Sequence, residues 1–486
     1  MDDLRARATT LAAGCGGAIV ALADMGVSPA TTLLAAALEA AGVPTVLLTA
    51  EPGHTLARAV AALQAAPLCL CPLAADADAS AAEVEAAVDA AFETIVAALT
   101  LDADTLAARA TADPPLDAVA PAADGRLRVA CRGADAEAGD DLEAVLETFH
   151  ALRIGDGLPV VPPTPDRLER MLAWAPWGPG HVLIEHLGPA GARLTVRDAA
   201  VAAIMAGGRP EHLPIVVTAL AAMAQPAYNL LQAMITSHNG GNLVLVSGPL
   251  AREVGLHGGP GCLGPGFVAN AAVGRAVNLA LLNVGRAVPG VSDLSCLGSP
   301  AEWTYCFAED TDRAPWPTLN VERFDAATTA VLVLKAEPPH GVMDFRSRTA
   351  AGLLETLVDC CTSLGSNNAY VAGSLVLVLA PDHARRLARA GWDKPRLRAH
   401  VHARAGLDLA RVAARGIAAI TPRPDAAGFV RVTRGPDDVH VVVAGGRGGH
   451  SAVIRPWALA SEAVVVPVLR PDGRAARSIS DFRPTR

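Results

Sequence analysis

The residues of this chain best suited to chemistry lie near its middle, in a polar, glycine-rich stretch at 237–275. A short apolar strand is predicted at 242–246, and the loop at 257–266 is too rich in Gly and Pro for regular structure. The backbone amides of such a loop need partners, and an anionic or carbonyl group at the start of the next helix is one candidate. Tight packing between strand and helix is the other candidate.

Proton transfer is the chemistry that the side chains near this loop favour. Cys306 and Glu309 lie close together in sequence, and either could abstract a proton, although neighbouring carboxylates raise the pKa of a thiol. Asn270, one turn into the helix after the loop, is expected to hold a developing oxyanion together with the loop amides. Arg275 is expected to bind a substrate carboxylate.

Further candidates lie in and around two glycine-rich loops. The second loop, at 445–451, follows an apolar strand and lacks the Gly-Lys-Ser/Thr of a P-loop. The remaining catalytic and substrate-binding candidates are His238, Asn239, Gly261, Cys262, Gly264, His450 and Ser451.

The spacing of the ligand-type residues disfavours two other kinds of site. No H-x-x-x-H, H-E-x-x-H or paired C-x-x-C occurs, so no metal is predicted, although a zinc site built from the distant His238, His257 and Cys262 stays open. Ser237, His238 and Ser451 suggest a Ser-His-Asp hydrolase, yet G-x-S-x-G is absent. The cofactor stays unknown, because no nucleotide motif occurs either.

Composition limits the partners of the chain. Apolar residues make up 51% and charged residues 18%, which indicates a globular chain. A net charge of −9 argues against nucleic acid. Neither a membrane-spanning apolar run nor a signal-peptide pattern is found in the sequence, so we expect a cytoplasmic protein without a membrane partner. The nine cysteines are odd in number and irregularly spaced, and are expected to be reduced thiols.

Two α/β units are predicted. Residues 1–100 alternate strands and helices with short connections, which indicates a parallel sheet with any ligand at the carboxyl ends of its strands. Residues 101–139 lose this periodicity and are predicted as a linker, despite a strand-like pattern at 127–130. Residues 140–486 are predicted as a larger mixed α/β domain that carries the presumed site.

Apolar runs and helix caps place the elements of the larger domain. A Thr cap and the first-turn carboxylate of Asp198 mark the start of a helix at 195–206. Strands are predicted at 329–335, 374–379, 438–444 and 463–468. Other helices are predicted at 140–152, 346–364, 382–390 and 395–404, with one more from residue 269 onward.

Nearly the whole chain resembles the two-domain bacterial proteins of the UGSC (seleno)protein family. The segments that carry the resemblance are GDGLPVVPPTPDR, AIMAGGRPEHLP, LVLVSGP, GPGFVANAAVGRAVNLALLNVG, LGSPAEWTYCFAEDTDRAPW and VAGGRGGHS. The resemblance implies an N-terminal α/β module with a selenocysteine or cysteine, followed by Gly-Ser-Cys, at the end of its first strand.

This chain departs from the family at that position. Met25 stands where the resemblance places the selenocysteine or cysteine, and a thioether forms neither a thiolate nor a disulfide. Either the N-terminal module is structural or shapes the substrate, or Cys15, Cys69 or Cys71 has taken over.

Together these features predict an enzyme that acts on a small polar organic molecule. Lyase-type cleavage or formation of a carbon–heteroatom bond is favoured, because it needs an oriented acid and base but no motif-bearing cofactor. A thiol-dependent, reductase-like enzyme is the first alternative, and a non-catalytic partner subunit is the second. Assembly as a homo-oligomer is left open.

Overall fold

The computed structural model describes most of the larger domain and parts of the N-terminal region. The described residues are 142–290, 292–293, 295–369, 371–414, 424–457 and 462–483, together with 16–21, 28–49, 68–74 and 80–100, the positions 8, 10, 11, 54, 57, 60 and 61, and the backbone of 116–121, 127–131 and 134–137. The predictions that concern Cys15 and Met25 fall outside these residues.

The N-terminal region contains a three-stranded parallel sheet, as the alternating pattern predicts. Its strands are β1 (Ala18–Ala21), β2 (Thr45–Thr49) and β3 (Cys69–Pro72), and its helices are α1 (Ser28–Ala40) and α2 (Ala81–Leu99). The side chains of Cys69 and Cys71 are buried in a small apolar cluster with Ile95 of α2. A capping box between Ser80 and Glu83 begins α2.

The segment predicted as a linker contains an antiparallel sheet in its described part. Its strands are β4 (Leu116–Pro121), β5 (Leu127–Cys131) and β6 (Ala134–Glu137). The strand-like pattern at 127–130 belongs to the central strand of this sheet.

The larger domain is built on two four-stranded mixed sheets and their covering helices. The strands are β7 (Val182–Leu187), β8 (Ala192–Thr195), β9 (Gly241–Ser247), β10 (Cys306–Ala308), β11 (Ala330–Ala336), β12 (His340–Met343), β13 (Leu375–Leu379), β14 (Gly406–Asp408), β15 (Phe429–Arg431), β16 (Val439–Val443), β17 (His450–Ile454) and β18 (Val464–Pro467). The helices are α3 (Leu142–Ala151), α4 (Pro165–Leu172), α5 (Val196–Met205), α6 (Leu213–Met223), α7 (Leu230–Ile235), α8 (Pro249–Glu253), α9 (Val268–Gly285), α10 (Leu319–Arg323), α11 (Ala350–Asp359), α12 (Pro381–Arg389), α13 (Lys394–Arg404) and α14 (Leu409–Ala413).

The first sheet has the order β10-β9-β11-β18 and the second has the order β12-β17-β13-β16. The chain passes twice between the two sheets. After β11 of the first sheet the chain crosses to form β12, which pairs with β17 of the second sheet. After β17 it crosses back to form β18, which pairs with β11. A bridge between Ala336 and Pro456 joins the two crossing points.

Four layers result from the way the strands alternate their side chains. Leu243 and Leu245 of β9 face an apolar cluster that also contains Val376 and Val378 of β13, so this cluster lies between the two sheets. The intervening Val244 and Val246 pack with residues of α5, α6 and α9 on the outer face of the first sheet. Residues of α11, α12 and α13 cover the outer face of the second sheet. Burial on both faces explains the continuous apolar runs of these strands.

Among the described residues, no single helix is long and apolar enough to cross a membrane. One bent pair, Pro210–Met223 with Pro226–Ile235, reaches that length and composition jointly. Most of these residues are buried inside the protein: all but one of the residues of α6 are in the core.

Candidate functional site

The predicted oxyanion residue Asn270 holds the glycine loop in place. Its Oδ1 accepts a hydrogen bond from His257 N at 2.8 Å, and its Nδ2 donates to the carbonyls of His257 and Cys262 at 2.9 and 2.8 Å. Both N–H groups of the side-chain amide are therefore used by the loop backbone. Gly261 has φ of +74° and its carbonyl accepts from Gly264 N at 2.7 Å, so these glycines shape the turn.

Cys306 and Glu309 are both buried, but in different surroundings. Cys306 belongs to the apolar cluster under α9, and burial raises the pKa of its thiol. Glu309 accepts hydrogen bonds from Ser247 Oγ at 2.6 Å and Leu319 N at 2.8 Å. Burial also raises the pKa of Glu309, while Lys394 opposes this shift with its Nζ 3.8 Å from Oε1. Glu309 thus belongs to a buried polar network.

Glu309 also contributes to the wall of a cavity of about 280 Å³ beside the glycine loop. Backbone and side-chain atoms of His257, Gly258 and Asp310 form other parts of this wall. Burial raises the pKa of Cys262 as well, so the thiols of this region are poor sources of thiolate.

The cation of Arg275 already has a carboxylate partner within the protein. Its Nε and Nη2 donate to the two oxygens of Asp156 at 2.7 and 2.8 Å, and Nη1 donates to Pro159 O at 3.0 Å. This fork geometry joins residues 119 positions apart and fixes the non-helical segment after α3 on α9. The carboxylate that Arg275 binds in the structure is that of Asp156.

His238 and Asn239 lie on a second cavity, of about 350 Å³, with Glu337, His340 and Arg455. Glu337 Oε1 is 3.7 Å from His238 Nε2, and Glu337 Oε2 is 3.6 Å from Arg455 Nη1. Burial opposes ionisation of Glu337, but its hydrogen bonds and the charge of Arg455 outweigh burial and lower its pKa. Glu337 is thus a carboxylate held between a histidine and an arginine.

His450 and Ser451 lie on β17 of the second sheet, at the end of a loop whose first residue, Gly445, donates its N–H to Gly258 O of the first glycine loop at 2.8 Å. Ser451 Oγ is 2.8 Å from His383 Nδ1, and His383 Nε2 is 2.9 Å from the carbonyl of Asp344. Both Ser451 and His383 are buried, and the histidine is oriented by a backbone carbonyl in place of a carboxylate. His450 is exposed and packs edge-on against Phe345.

Another cavity, of about 460 Å³, brings together polar residues that no sequence motif marks. We call it the lysine cavity. Its apolar lining residues include Met234, Leu281, Leu282 and Trp303, and its polar lining residues are Asp156, Asn242, Asn278, Asp293, Ser299, Glu302 and Lys335.

Strand register places two of these groups side by side. Asn242 of β9 and Lys335 of β11 are direct partners in the antiparallel ladder, on the face where Val244 and Val333 pack beneath the helices. An asparagine chain then connects the sheet to α9. Asn242 Nδ2 donates to Asn278 Oδ1 at 2.8 Å, and Tyr228 OH donates to Asn242 Oδ1 at 2.6 Å. The apolar stripe of the sheet therefore ends in a polar layer at the cavity.

Lys335 is the unusual member of this layer. Only 6% of its surface is exposed, yet among the described residues its Nζ makes no hydrogen bond and no ion pair within 4.0 Å. Burial lowers the pKa of Lys335, while the charges of Asp293 and Glu302 act in the opposite direction. Burial raises the pKa of Asp293 and that of Glu302. The proton affinities of the amine and the two carboxyls are thereby brought closer together, which makes proton exchange among them easier.

A simple signal in the sequence marks this position. The chain has 40 Lys and Arg residues, and only two of them are lysines, Lys335 and Lys394. Both are buried, although lysine is normally a surface residue. A guanidinium does not lose its proton in proteins, whereas an amine does. The rarity of lysine is therefore the feature of the sequence that distinguishes these two positions.

The described residues contain no group of three or more His, Cys, Asp or Glu placed to hold a metal ion. The chain matches no family model, no curated protein and no solved structure. The function proposed below accordingly rests on the geometry of the lysine cavity.

Proposed function

We propose that the protein is an enzyme that acts on a small polar organic molecule by acid–base chemistry in the lysine cavity. The observation that carries this proposal is the buried, unpartnered amine of Lys335 in a cavity that, among the described residues, also contains Asp293 and Glu302. A volume of about 460 Å³ suits a small ligand. Cleavage or formation of a carbon–heteroatom bond is the reaction type that we favour.

The roles follow from the proton affinities. An uncharged Lys335 amine takes a proton from a carbon of the substrate, and a protonated Glu302 or Asp293 gives one to the departing heteroatom. Asn242 and Asn278 orient the substrate: each amide carries two N–H donors, and the hydrogen bonds within the protein use one of each. Apolar lining side chains, including Leu281 and Leu282, reduce the water around the reacting groups.

This assignment moves the proposed base from Cys306 or Glu309 to Lys335. A thiol-dependent reaction is less favoured, because burial raises the pKa of both Cys306 and Cys262. A cytoplasmic location is proposed alongside, supported by the free state of the described cysteines. Membership of the UGSC family is likewise a proposal, supported by the segments quoted above.

A ligand screen followed by proton exchange tests the enzyme proposal. Small carbonyl compounds, amides, amines and carboxylates are screened by thermal shift, where a ligand at 100 times its dissociation constant adds about 2.7 kcal/mol of stability. Compounds that stabilise the chain are then incubated with it in deuterium oxide, and loss of C–H signal is followed by NMR. We expect exchange with the native chain and with Glu355→Gln, a surface control paired with Arg404, but not with Lys335→Met. Equal exchange by the native chain and Lys335→Met, or no stabilising compound, would contradict the proposal.

A further inference from the structure

We infer that Lys335 is the nucleophile of this site and forms an imine with an uncharged or cationic aldehyde or ketone. The inference rests on the proposed function and names its substrate class. It depends on the placement of one amine in the lysine cavity, on the pairing of the lining residue Asp156 with an arginine, and on the charges of the lining groups.

Charge balance alone does not explain a lysine at position 335. Asp156, on the same cavity, is balanced by the guanidinium of Arg275 through two hydrogen bonds. An arginine could balance Asp293 and Glu302 as well, and where this chain does use a lysine as a balancing cation, at Lys394, the Nζ lies 2.9 Å from a carboxylate oxygen. A lysine differs in that it can lose its proton and form a covalent bond through nitrogen. Position 335 therefore has the side chain required of a nucleophile.

The position of the amine also suits attack on a ligand. Lys335 lines the cavity and is only 6% exposed, and no described carboxylate lies within 4.0 Å of its Nζ. Its ladder partner Asn242 is held by Tyr228 and Asn278, so the surface beside the amine is fixed. A nucleophile that is held in a salt bridge must first break it, and Lys335 has no such bond to break among the described residues.

The lining charges select the substrate. Asp156 is neutralised by Arg275, which leaves Asp293 and Glu302 facing a single amine. No guanidinium occurs among the described residues that line the lysine cavity. An anionic carbonyl compound would meet carboxyl groups without a cation to bind it, whereas an uncharged or cationic one would not.

The proposed step conserves atoms and electrons. The uncharged nitrogen of Lys335 attacks the carbonyl carbon, a carboxylic acid of Glu302 or Asp293 protonates the oxygen, and the nitrogen returns a proton to the carboxylate. Loss of water from the resulting carbinolamine gives the imine, so amine plus carbonyl become imine plus water without oxidation or reduction. The protonated imine withdraws electrons from the neighbouring carbon, and a C–H or carbon–heteroatom bond there is weakened. This is the bond type assigned to the proposed reaction. Because the Lys335 nitrogen is then part of the imine, the carboxylate of Glu302 or Asp293 takes the proton from that neighbouring carbon.

Reductive trapping tests the imine on the full chain with unusually little background. The chain contains only three amino groups, those of Lys335 and Lys394 and the α-amino group. The native protein is incubated at neutral pH with hydroxyacetone, an uncharged ketone, and sodium cyanoborohydride, and its peptides are analysed by mass spectrometry. We expect one reduced adduct at Lys335, none at Lys394, and roughly tenfold less adduct at Lys335 with pyruvate, because like charges repel in a site of reduced dielectric.

Variants separate this inference from the proposed function. Lys335→Arg and the nearly isosteric Lys335→Met should each lose the adduct at residue 335, and circular dichroism identifies whichever variant is folded. Glu302→Gln should slow trapping while leaving the adduct at Lys335. An adduct confined to the α-amino group of the native chain, or faster trapping of pyruvate, would overturn the inference. Stabilisation by hydroxyacetone with proton exchange but no adduct would overturn the imine alone, and absence of all three would overturn both proposals.

Discussion

The two lysines of this protein occupy opposite kinds of buried site. Lys394, at the start of α13, is 1% exposed, and its Nζ lies 2.9 Å from Glu322 Oε2 and 3.8 Å from Glu309 Oε1. Lys335 is buried to a similar degree but has no such partner among the described residues. A close carboxylate stabilises the charged ammonium and holds it in place, whereas burial without one favours the free amine. Similar burial thus accompanies a structural cation at Lys394 and, in the function proposed above, a reactive amine at Lys335.

The two carboxylates beside Lys394 have further hydrogen-bond partners. Glu322 also accepts hydrogen bonds from Arg398 Nη2 at 2.9 and 3.0 Å. Glu309 is bonded in turn to Ser247 and the backbone of Leu319. These contacts join the ends of β9 and β10 to α10 and α13, so this lysine acts as a tie between the two halves of the four-layer domain.

The largest expected effect is the loss of stability when Lys394 is replaced. Lys394→Met leaves the buried Glu309 and the half-buried Glu322 without that cation, and should lower the free energy of unfolding by about 3–5 kcal/mol. Lys335→Met removes an amine without a close partner among the described residues and should change it by less than about 1.5 kcal/mol. Urea denaturation of both variants measures the difference. Similar losses of unfolding free energy in the two variants would mean that both lysines have the same structural role.

The catalytic rate, in contrast to the stability, should depend on Lys335 and not on Lys394. Lys335→Met should lower the rate of proton exchange on a bound substrate by roughly 10² or more, because a general base is removed. Any Lys394→Met protein that stays folded should retain the native rate per folded molecule. Hydrogen–deuterium exchange of the substrate, divided by the folded fraction, gives both values. A comparable drop in rate for both variants would show that the assignment of Lys335 as the base is wrong.

Asn270 and Asn278, both on α9, extend the comparison to the glycine loop and the lysine cavity. Asn270→Ala should cost about 1–3 kcal/mol of stability, because the His257 and Cys262 backbone groups lose their partner, with ligand binding in the lysine cavity unchanged. Asn278→Ala should reduce ligand-induced stabilisation, because it removes a lining group of that cavity. Thermal shifts with and without ligand distinguish them. If Asn270→Ala lost the ligand-induced stabilisation and Asn278→Ala kept it, the ligand would bind at the glycine loop and not in the lysine cavity.

The last expected effect is a dependence of stability on pH. Because burial lowers the pKa of Lys335 below its ordinary value, the unfolded chain binds this proton more tightly than the folded chain. Between the two pKa values, stability rises with pH by up to about 1.4 kcal/mol per unit, and this gain is lost as pH falls through the folded pKa. The difference in unfolding free energy between native and Lys335→Met, measured from pH 7 to pH 10, should grow in favour of the native chain. A difference that falls with pH would contradict the lowered pKa.

Local patterns predicted the elements of the larger domain well. The strand at 329–335 is β11, that at 374–379 is β13, and the Thr195 cap with Asp198 begins α5 through a capping box. The helix predicted at 346–364 is shorter, since Thr349 caps Ala350–Asp359. These features depend on neighbouring residues, so the sequence contains them directly.

The contents of the site depended on contacts that local patterns do not encode. The sequence alone determined the α/β class, the glycine loops and the presence of only two lysines. Only the tertiary structure decided that Arg275 is bound by Asp156, that Asn270 is bound by the loop, and that Lys335 faces Asp293 and Glu302. The physical reason is that these partners are set by strand order, by register and by the packing of α9 on the first sheet. Those depend on side chains far apart in the chain, and a shift of one residue in β11 would turn Lys335 to the opposite face.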